Sequence, residues 1–331
     1  MFVLLTGCGG FLGRRIALKL LRRGDQVRGF SRHSYPDLCA SGMEPCLGDV
    51  TDPSALTNAC RGVDAVIHCA AVAGIWGDWN TYHSVNTLGT RHVIDACRSQ
   101  RVPVLVHCSS PSVTFDGSHQ SGIDESAPYP KHHLCHYSHS KALAEQAVLG
   151  AHQPGTLHTA ALRPHLIWGP DDPHLFPRLI DRARRGRLKI VGDGKNTIDT
   201  VHVDNAAAAH VAALDHLRSA KPAGGGRPFF ITQGEPVGCW DWIAKVLEIA
   251  GVAPPTRRLS LSTAWHLGAV LEKVYRLGGF RGEPPMTRFL AAQLARDHFF
   301  DITAAKTLLG YAPKVTTADG LHELQRHWRH D

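Results

Sequence analysis

The sequence lacks the features that would make it a membrane or secreted protein. No apolar run reaches the roughly 18 residues of a membrane-spanning helix, and the nearest approach, residues 264–277, is interrupted by four polar or charged side chains (His266, Glu272, Lys273 and Arg276). An apolar run that resembles a first strand begins at Phe2, which leaves no room for a signal peptide before it. We therefore expect a cytoplasmic protein.

Cysteine pairs at metal-binding or redox spacing are also missing. The chain has nine cysteines but no C-x-x-C pair, and an odd count argues against a disulfide framework. The densest group of histidines, His132, His133 and His136, has no carboxylate or cysteine at a spacing that completes a ligand set. From these patterns we expect no metal site.

No motif for nucleic-acid binding accompanies the positive charge of the chain. The net charge is +7, but the basic residues are dispersed. The densest basic run, residues 182–189, lacks interleaved aromatic residues and is more typical of a solvated helix face. Internal repeats and low-complexity linkers are absent as well. We expect a small-molecule substrate and no nucleic-acid partner.

The first informative motif in the chain is a glycine-rich turn. The apolar run Phe2 to Leu5 is typical of a buried parallel strand, and Gly7, Gly10 and Gly13 follow it before a helical pattern. Such a turn lets a pyrophosphate approach the backbone at the positive end of a helix. We predict that this turn binds a dinucleotide.

The first half of the chain alternates strand and helix patterns, with strands predicted at residues 26–31, 44–47, 64–68, 102–108 and 158–163. Helices are predicted over residues 82–97 and 137–149. This order predicts an α/β fold with a Rossmann-type, doubly wound parallel sheet. We assign residues 1–163 to the dinucleotide-binding domain, expect residues 201–217 to return to it, and assign residues 164–331 mainly to a smaller C-terminal substrate-binding lobe.

Tyr137 and Lys141 form the second chemical pattern. Four residues are close to one helical turn, so both side chains project from the same face. A nearby ammonium group favours tyrosinate, and we expect it to lower the pKa of Tyr137 towards the working pH. Ser109 and Ser110 follow the predicted fifth strand, at the sheet edge where ligands bind in open α/β folds. A serine there can hydrogen-bond a reacting oxygen.

With these patterns in one chain, the sequence resembles the extended short-chain dehydrogenase/reductase family. Within it, the chain is most similar to the branch of 3β-hydroxysteroid dehydrogenases and sterol-4α-carboxylate 3-dehydrogenases, which also includes bacterial 2-alkyl-3-oxoalkanoate reductases. The matching segments lie in the family's order at residues 6–13 (TGCGGFLG), 48–52 (GDVTD), 68–71 (HCAA), 86–90 (NTLGT), 109–117 (SSPSVTFDG), 137–141 (YSHSK), 163–173 (RPHLIWGPDDP) and 202–205 (HVDN).

The resemblance implies roles for individual residues. Ser110, Tyr137 and Lys141 would be catalytic, and Ser109 is the weaker choice of serine. Besides Tyr137 and Lys141, the residues implied to contact the cofactor are Gly7, Gly10, Phe11, Leu12, Gly13, Asp49, Val50, Ala70, Ala71, Asn86 and Pro164.

The end of the second strand bears on the choice of cofactor. An enzyme that uses NAD places a carboxylate there to bind the ribose hydroxyls, but this chain has Ser31 and Arg32 instead. Both suit a 2′-phosphate, and Arg14 and Arg15 on the first helix should add positive charge nearby. We expect NADP(H) to be favoured, with NAD(H) as the alternative, which favours reduction of a ketone.

The substrate contacts follow less directly from the sequence. Trp76, Ser110, His165 and Arg178 are the candidates, with Arg178 suited either to a substrate carboxylate or to solvent. The apolar stripe within residues 265–275 suits a protein core, a cover over a long chain, or a peripheral contact with a membrane or a partner enzyme. We also expect a homodimer.

Three activities remain open at this point. The first is the interconversion of an alcohol and a ketone β to a carboxylate on a bulky hydrophobic substrate. Its best form is a 2-alkyl-3-oxoalkanoate reductase, and its alternative is a decarboxylating sterol or 3β-hydroxysteroid dehydrogenase. The second is a nucleotide-sugar epimerase or dehydratase, and the third is a dinucleotide sensor without catalysis. The catalytic set Ser110, Tyr137 and Lys141 counts against the sensor.

Overall fold

Strands and helices alternate in the computed structural model, which describes residues 1–219, 222–280 and 282–328. The strands are β1 (Phe2–Thr6), β2 (Gln26–Ser31), β3 (Glu44–Leu47), β4 (Ala65–His68), β5 (Val104–Cys108), β6 (Gln120–Ile123), β7 (His158–Pro164), β8 (Ile167–Trp168), β9 (Ile190–Val191), β10 (Thr197–Ile198), β11 (Val201–His202), β12 (Arg227–Ile231), β13 (Val237–Gly238), β14 (Arg258–Leu259) and β15 (His298–Phe300). The helices are α1 (Phe11–Arg22), α2 (Pro36–Ala40), α3 (Pro53–Ala59), α4 (Trp79–Tyr82), α5 (Gly89–Gln100), α6 (His136–Gly150), α7 (Leu175–Arg184), α8 (Val203–Leu217), α9 (Cys239–Ile249), α10 (Leu261–Leu277), α11 (Arg288–Gln293), α12 (Thr303–Leu309) and α13 (Thr317–Trp328).

The central sheet has seven strands in the order β3-β2-β1-β4-β5-β7-β12, and every neighbouring pair is parallel. The order reverses between β1 and β4, which opens a crevice at the carboxyl ends of these strands. The predicted Rossmann-type parallel sheet is confirmed, and its topology places the ligand site at this edge.

Helices cover both faces of the sheet, so the strands are buried on both sides. Helices α1, α8 and α12 pack together on one face, and α3, α5 and α6 on the other. Along β1, Val3 and Leu5 enter the apolar core beneath α1 and α8, whereas Leu4 enters the core on the opposite side. Burial on both faces explains why the strand is an unbroken apolar run instead of an alternating one.

The second half of the chain builds a further core around Trp168, Phe176 and Trp242, beneath α7 and α9. Three strands of this half form a small sheet with β6 of the first half, in the order β13-β10-β15-β6, and two strand pairs, β8–β11 and β9–β14, also lie in this half. Helix α8 contacts α1 and β5, and β12 joins the central sheet, so two segments beyond residue 163 pack with the first half. The domain boundaries assigned above remain a prediction.

The predicted elements differ from the structure mainly at their ends. The helix predicted over residues 82–97 runs from Trp79 to Gln100 and includes a π-helical turn at His83–Leu88. The helix predicted over residues 137–149 spans His136–Gly150. Among the helices that the structure describes, none is both long and apolar enough to cross a membrane.

Candidate active site

The glycine turn between β1 and α1 forms an anion-binding helix terminus. The N-cap residue Gly10 provides no side-chain acceptor, and the first turn of α1 has no acidic residue. The backbone N–H groups of this turn therefore suit a bound phosphate. A Cβ atom at Gly13 would overlap the carbonyl oxygen of Gly7, so only glycine permits this packing of helix on turn. The side chains of Phe11 and Leu12 pack against the core beneath α1, which leaves their backbone for ligand contact.

One cavity at the carboxyl edge of β1, β2 and β4 brings together most of the predicted cofactor residues. A dinucleotide fits this lining, because the turn offers backbone donors and the adjoining loops offer polar side chains. The predicted residues in the lining are Gly7, Gly10, Ser31, Arg32, Asp49, Val50, Ala70 and Ala71. Sequence reasoning missed other lining residues, among them His33, Tyr35, Cys69, Val72 and Val85.

The chemistry at the end of β2 is basic and polar. The Ser31 hydroxyl donates to the His33 carbonyl oxygen at 2.6 Å. The Asp49 carboxylate accepts bonds from the backbone and hydroxyl of Thr51, both at 2.9 Å. The Thr51 backbone bond, with a further contribution from Arg32, lowers the pKa of Asp49. Asp49 is therefore a carboxylate near Arg32, but it lies after β3 and not at the end of β2.

The two arginines at the start of α1 do not both add charge to this cavity as expected. Arg14 pairs with Asp37 and lies 5.9 Å from the Tyr35 ring centre, on the cavity side of the helix. Arg15 is directed elsewhere, with Asp171 at 3.5 Å and Asp204 at 4.0 Å. The expectation for Arg15 was wrong, because successive residues of a helix face different directions.

Asn86 lies in the π-helical turn and uses its amide to join two segments. Its oxygen accepts from the Val72 backbone at 2.8 Å, and its nitrogen donates to the Val72 carbonyl and the Ser140 hydroxyl, both at 3.0 Å. Because Val72 lines the cofactor cavity, Asn86 holds one wall of this cavity against α6. Its direct contact with the cofactor stays a prediction.

Two of the three predicted catalytic residues, Ser110 and Tyr137, line a second cavity of about 200 Å³, called here the catalytic pocket. Ser110 follows β5, Tyr137 lies in the first turn of α6, Pro164 ends β7 and His165 follows it. All four line the pocket, and Gln120, Phe289 and Gln293 are lining residues that the sequence did not indicate. Ser109 is instead buried, and its backbone donates to the Leu162 carbonyl at 2.6 Å.

The phenol of Tyr137 is held in its protonated form. Burial raises its pKa above the ordinary value of a tyrosine, and the neighbouring Ser110 hydroxyl acts in the opposite direction. The expectation that Lys141 lowers this pKa is therefore not met, because desolvation of the phenolate dominates. A protonated phenol is suited to giving a proton to a carbonyl oxygen.

Lys141 is buried beneath the catalytic pocket. Its ammonium group donates to the Cys108 carbonyl oxygen at 2.6 Å and lies 3.2 Å from Nε2 of His107. Burial lowers the pKa of Lys141, and burial together with the Lys141 charge holds the pKa of His107 well below its usual value. His107 is therefore neutral and can accept a bond from the ammonium. Sequence reasoning missed it, although a histidine in an apolar strand is a signal.

A buried ion pair ties the catalytic helix to the strand that carries Pro164 and His165. Glu145 of α6 accepts from Nη2 of Arg163 at 2.6 Å and from its Nε at 3.1 Å. The Tyr129 hydroxyl donates to the same carboxylate at 2.6 Å. Both ion-pair partners are fully enclosed, with exposed side-chain fractions of 1% for Arg163 and 0% for Glu145.

Two further cavities, called here the first and second flanking cavities, share wall residues with the catalytic pocket, and the lining of the first combines aromatic and charged side chains. The first flanking cavity shares Ile75 and contains Trp76, whose ring centre lies 6.3 Å from that of Tyr275. The second shares Leu166 and Gln293. Its further apolar lining is Leu175, Leu179, Leu188, Ile198, Trp242, Ile243, Leu290 and Leu294. The predicted substrate residue Trp76 thus lies beside the catalytic pocket and not in it.

Arg178 also lies outside the catalytic pocket, in the wall of the second flanking cavity with Arg182. Both arginines approach the Glu283 carboxylate, which is 3.5 Å from Arg182. Burial lowers the pKa of Arg178 to about 10, which still leaves it charged at neutral pH. Two cations that share one carboxylate leave one positive charge uncompensated near the cavity.

Helices α10 and α11 close the pocket from the second half of the chain. A Cβ atom at Gly268 of α10 would lie 2.7 Å from the backbone of Thr287 and Arg288, so the helices meet at their backbones. Glu272 accepts bonds from the Arg288 backbone at 2.7 Å and from its guanidinium at 2.7 and 2.9 Å. The outer face of α10 and the segment after it leave apolar side chains exposed at Leu267, Val270, Val274, Leu277 and Phe280.

Comparisons with known proteins agree with this architecture. The model of the 3-beta hydroxysteroid dehydrogenase/isomerase family matches residues 4–261. The chain is 44% identical to a 2-alkyl-3-oxoalkanoate reductase from Shewanella oneidensis, over 97% of this chain and 84% of the relative. It is 33% identical to the decarboxylating sterol-4-alpha-carboxylate 3-dehydrogenase of Mus musculus, over 98% of this chain and 90% of the relative. The crystal structure of gox2253 superposes with a TM-score of 0.79 at 29% identity, covering 99% of this chain and 98% of that one.

These matches confirm the resemblance read from the sequence. They also show that the protein is an NAD(P)-dependent oxidoreductase acting on a CH–OH group. The chain belongs to the 3-beta hydroxysteroid dehydrogenase/isomerase family.

Proposed function

We propose that this protein reduces 2-alkyl-3-oxo acids to the corresponding 3-hydroxy acids with NADPH. The observation that carries the proposal is the pair of cavities that adjoin the pocket holding Ser110 and Tyr137, one of them lined mainly by apolar residues and the other containing Ile75, Trp76 and Tyr275. In a 2-alkyl-3-oxo acid one hydrocarbon chain continues from the ketone carbon, and the other branches from the adjacent carbon, which also bears the carboxyl group. A reacting centre with two adjoining cavities matches that branched shape. The 44% identity to 2-alkyl-3-oxoalkanoate reductases supports the same substrate class.

Each catalytic residue has a separate role in the proposed reduction. The cavity lined by Gly7, Gly10 and Arg32 would hold the dinucleotide, which would supply the hydride for the ketone carbon. Tyr137 gives its phenolic proton to the ketone oxygen, which yields the alcohol and leaves a phenolate. The Ser110 hydroxyl donates a hydrogen bond to the oxygen as negative charge develops on it. The buried ammonium of Lys141, one helical turn away, stabilises the phenolate until it is protonated again.

The substrate carboxylate has a cationic partner on one side of the pocket. Arg178 and Arg182 share Glu283, so the pair attracts one further anion. We assign Arg178 to the recognition of this carboxylate, and His165 to contact with the reacting part of the substrate, because His165 lines the catalytic pocket. Trp76 would contact a hydrocarbon chain in the first flanking cavity.

The preference for NADPH rests on Arg32. It lines the cofactor cavity after β2, where no carboxylate follows the strand within residues 31–35. A 2′-phosphate there meets the guanidinium of Arg32, and charge-assisted hydrogen bonds contribute about 1.5–3 kcal/mol each. That contribution corresponds to a preference of roughly 10- to 150-fold over NADH.

The test uses substrates whose two chains vary independently. Because β-keto acids lose carbon dioxide spontaneously, the assay starts from the stable 2-alkyl-3-hydroxy acids and oxidised cofactor. Burial of each methylene contributes about 0.8 kcal/mol, so kcat/KM should rise about fourfold per added methylene in either chain until the cavities are full. Ile243→Trp, which fills the second flanking cavity, should abolish the dependence of kcat/KM on the length of one of the two chains and leave the other dependence unchanged. Leu47→Trp at an exposed position is the matched control.

The same assay distinguishes the two alternative activities, the sterol dehydrogenase and the nucleotide-sugar epimerase. Oxidation of a 4-carboxysterol at a higher kcat/KM than any 2-alkyl-3-hydroxy acid would replace the proposal by the sterol dehydrogenase. Conversion of a UDP-hexose without net release of reduced cofactor would replace it by the epimerase. Equal rates for short and long chains would contradict the assignment of the two flanking cavities.

A further inference from the structure

Two thiols and an imidazole, to which the proposed reaction assigns no role, converge at the wall of the cofactor cavity. Cys69 follows β4, Cys108 ends β5, and His210 lies in the middle of α8. The two sulfur atoms and a ring nitrogen of His210 all lie within 4.8 Å of one another. The three residues come from separate elements, so their spacing in the sequence does not predict the cluster.

The geometry of the cluster is close to that of a bound soft metal ion. Zinc lies about 2.3 Å from thiolate sulfur and about 2.0–2.1 Å from imidazole nitrogen. Ligand atoms around a tetrahedral ion are therefore roughly 3.5–4 Å apart. From separations of at most 4.8 Å, the cluster needs to contract by no more than about 1.3 Å to reach this spacing, and rotations of the two cysteine side chains can supply this contraction.

The imidazole of His210 already has the orientation of a metal ligand. Its Nδ1 donates to the Ala206 carbonyl oxygen at 2.8 Å, which leaves the lone pair of Nε2 available. The side chain is fully buried, and Nε2 is directed at the Cys108 thiol within the cluster. Metal-ligating histidines commonly donate their second ring N–H to a backbone carbonyl in this way, because the bond fixes the tautomer and the ring orientation.

The cluster also has an entry path and an open coordination position. Cys69 is half-buried and lines the cofactor cavity, so an ion can reach its sulfur from solvent through that cavity. Three protein ligands leave the fourth position of a tetrahedral ion for water on the same side.

We propose that Cys69, Cys108 and His210 form a binding site for a soft divalent cation such as Zn²⁺, opening into the cofactor cavity. The ligand set of two thiolates and one imidazole selects zinc, cobalt or cadmium over magnesium and calcium, which prefer oxygen. The site is separate from the proposed reduction, which uses no metal-bound group.

Cobalt titration of the reduced full-length protein, without dinucleotide, tests the proposal. One equivalent of Co²⁺ should produce the near-ultraviolet sulfur-to-cobalt charge-transfer band of thiolate ligation, and Zn²⁺ should abolish the band by displacement. Cys69→Ser, Cys108→Ser and His210→Gln should each weaken Co²⁺ binding by at least about tenfold, since even outer-shell partners contribute that much. Cys39→Ser and His266→Gln, at positions outside the cluster, are the matched controls.

A second measurement needs no variant and so does not depend on how the variants fold. Bound Cd²⁺ should protect Cys69 and Cys108 from alkylation, mapped by mass spectrometry, while Cys39 reacts at an unchanged rate. Absence of the charge-transfer band in the wild type, its survival in all three ligand variants, or unprotected Cys69 and Cys108 would overturn the proposal. Loss of reductase activity plays no part in these readouts, so they are independent of the proposed function.

Discussion

Replacement of Glu145 by alanine should destabilise the protein more than any surface substitution. The carboxylate is fully buried and accepts bonds from Arg163 and from the Tyr129 hydroxyl. Its removal leaves the Arg163 guanidinium enclosed without a counter-charge, which costs about 3–5 kcal/mol. Because natural proteins are stable by only about 5–15 kcal/mol, the loss is a large fraction of the free energy of unfolding.

Urea denaturation followed by circular dichroism measures this loss, and the chain provides a matched control. Arg28 and Glu44 form a pair at 2.8 Å, but Glu44 is 53% exposed, so Glu44→Ala should cost no more than about 1 kcal/mol. Replacing both buried partners with apolar residues, as in Glu145→Leu with Arg163→Met, should cost much less than Glu145→Ala alone. A loss below about 1 kcal/mol for Glu145→Ala would refute the reasoning, because the guanidinium would then be solvated in the folded state.

Three further predictions concern catalysis, the cofactor and pH. Tyr137→Phe should lower kcat by about 10²–10⁴-fold while the affinity for the dinucleotide measured by calorimetry stays nearly unchanged, and near-normal turnover would remove Tyr137 from the mechanism. Arg32→Asp should invert the preference for NADPH over NADH in calorimetric titration. Arg22→Asp, which makes the same charge change at an exposed site, should leave the preference unchanged. Tighter binding of NADH than of NADPH by the wild type would contradict the NADPH assignment. Burial holds the pKa of His298 at about 4 and that of His165 well below its usual value. Both stay neutral in the folded protein while the unfolded chain binds protons below about pH 6.5, so stability should fall by about 1.4 kcal/mol per pH unit for each histidine as the pH drops towards 4. Urea denaturation at several pH values should show a shallower loss of stability for His298→Gln, and an unchanged slope would show that His298 is not responsible for it.

The elements around the cofactor could be predicted because their signals are local. An apolar run followed by spaced glycines specifies both a buried strand and the turn after it, and the structure places the strand at Phe2–Thr6. The pairing of Tyr137 with Lys141 follows from helical periodicity alone. The position of Ser110 beside Tyr137 required only the rule that ligands bind at the carboxyl edge of a parallel sheet.

The properties that depend on burial or on distant contacts could not be predicted in this way. The pKa of Tyr137 depends on how completely the phenol is desolvated, and no sequence pattern records that. The direction of Arg15 depends on Asp171 and Asp204, which lie more than 150 residues away. The spacing of Cys69, Cys108 and His210 in the sequence does not predict a metal site, because only folding brings these three residues together.

The contact between α10 and α11 has a consequence for how a bulky molecule enters the site. Their backbones touch at Gly268, and Glu272 binds Arg288, so neither helix can shift without the other. Helix α11 carries Phe289 into the catalytic pocket. A shift of the pocket wall at Phe289 therefore involves both helices. Collective motions of packed helices occur over microseconds to milliseconds, so we expect ligand exchange that depends on this wall to fall in that range.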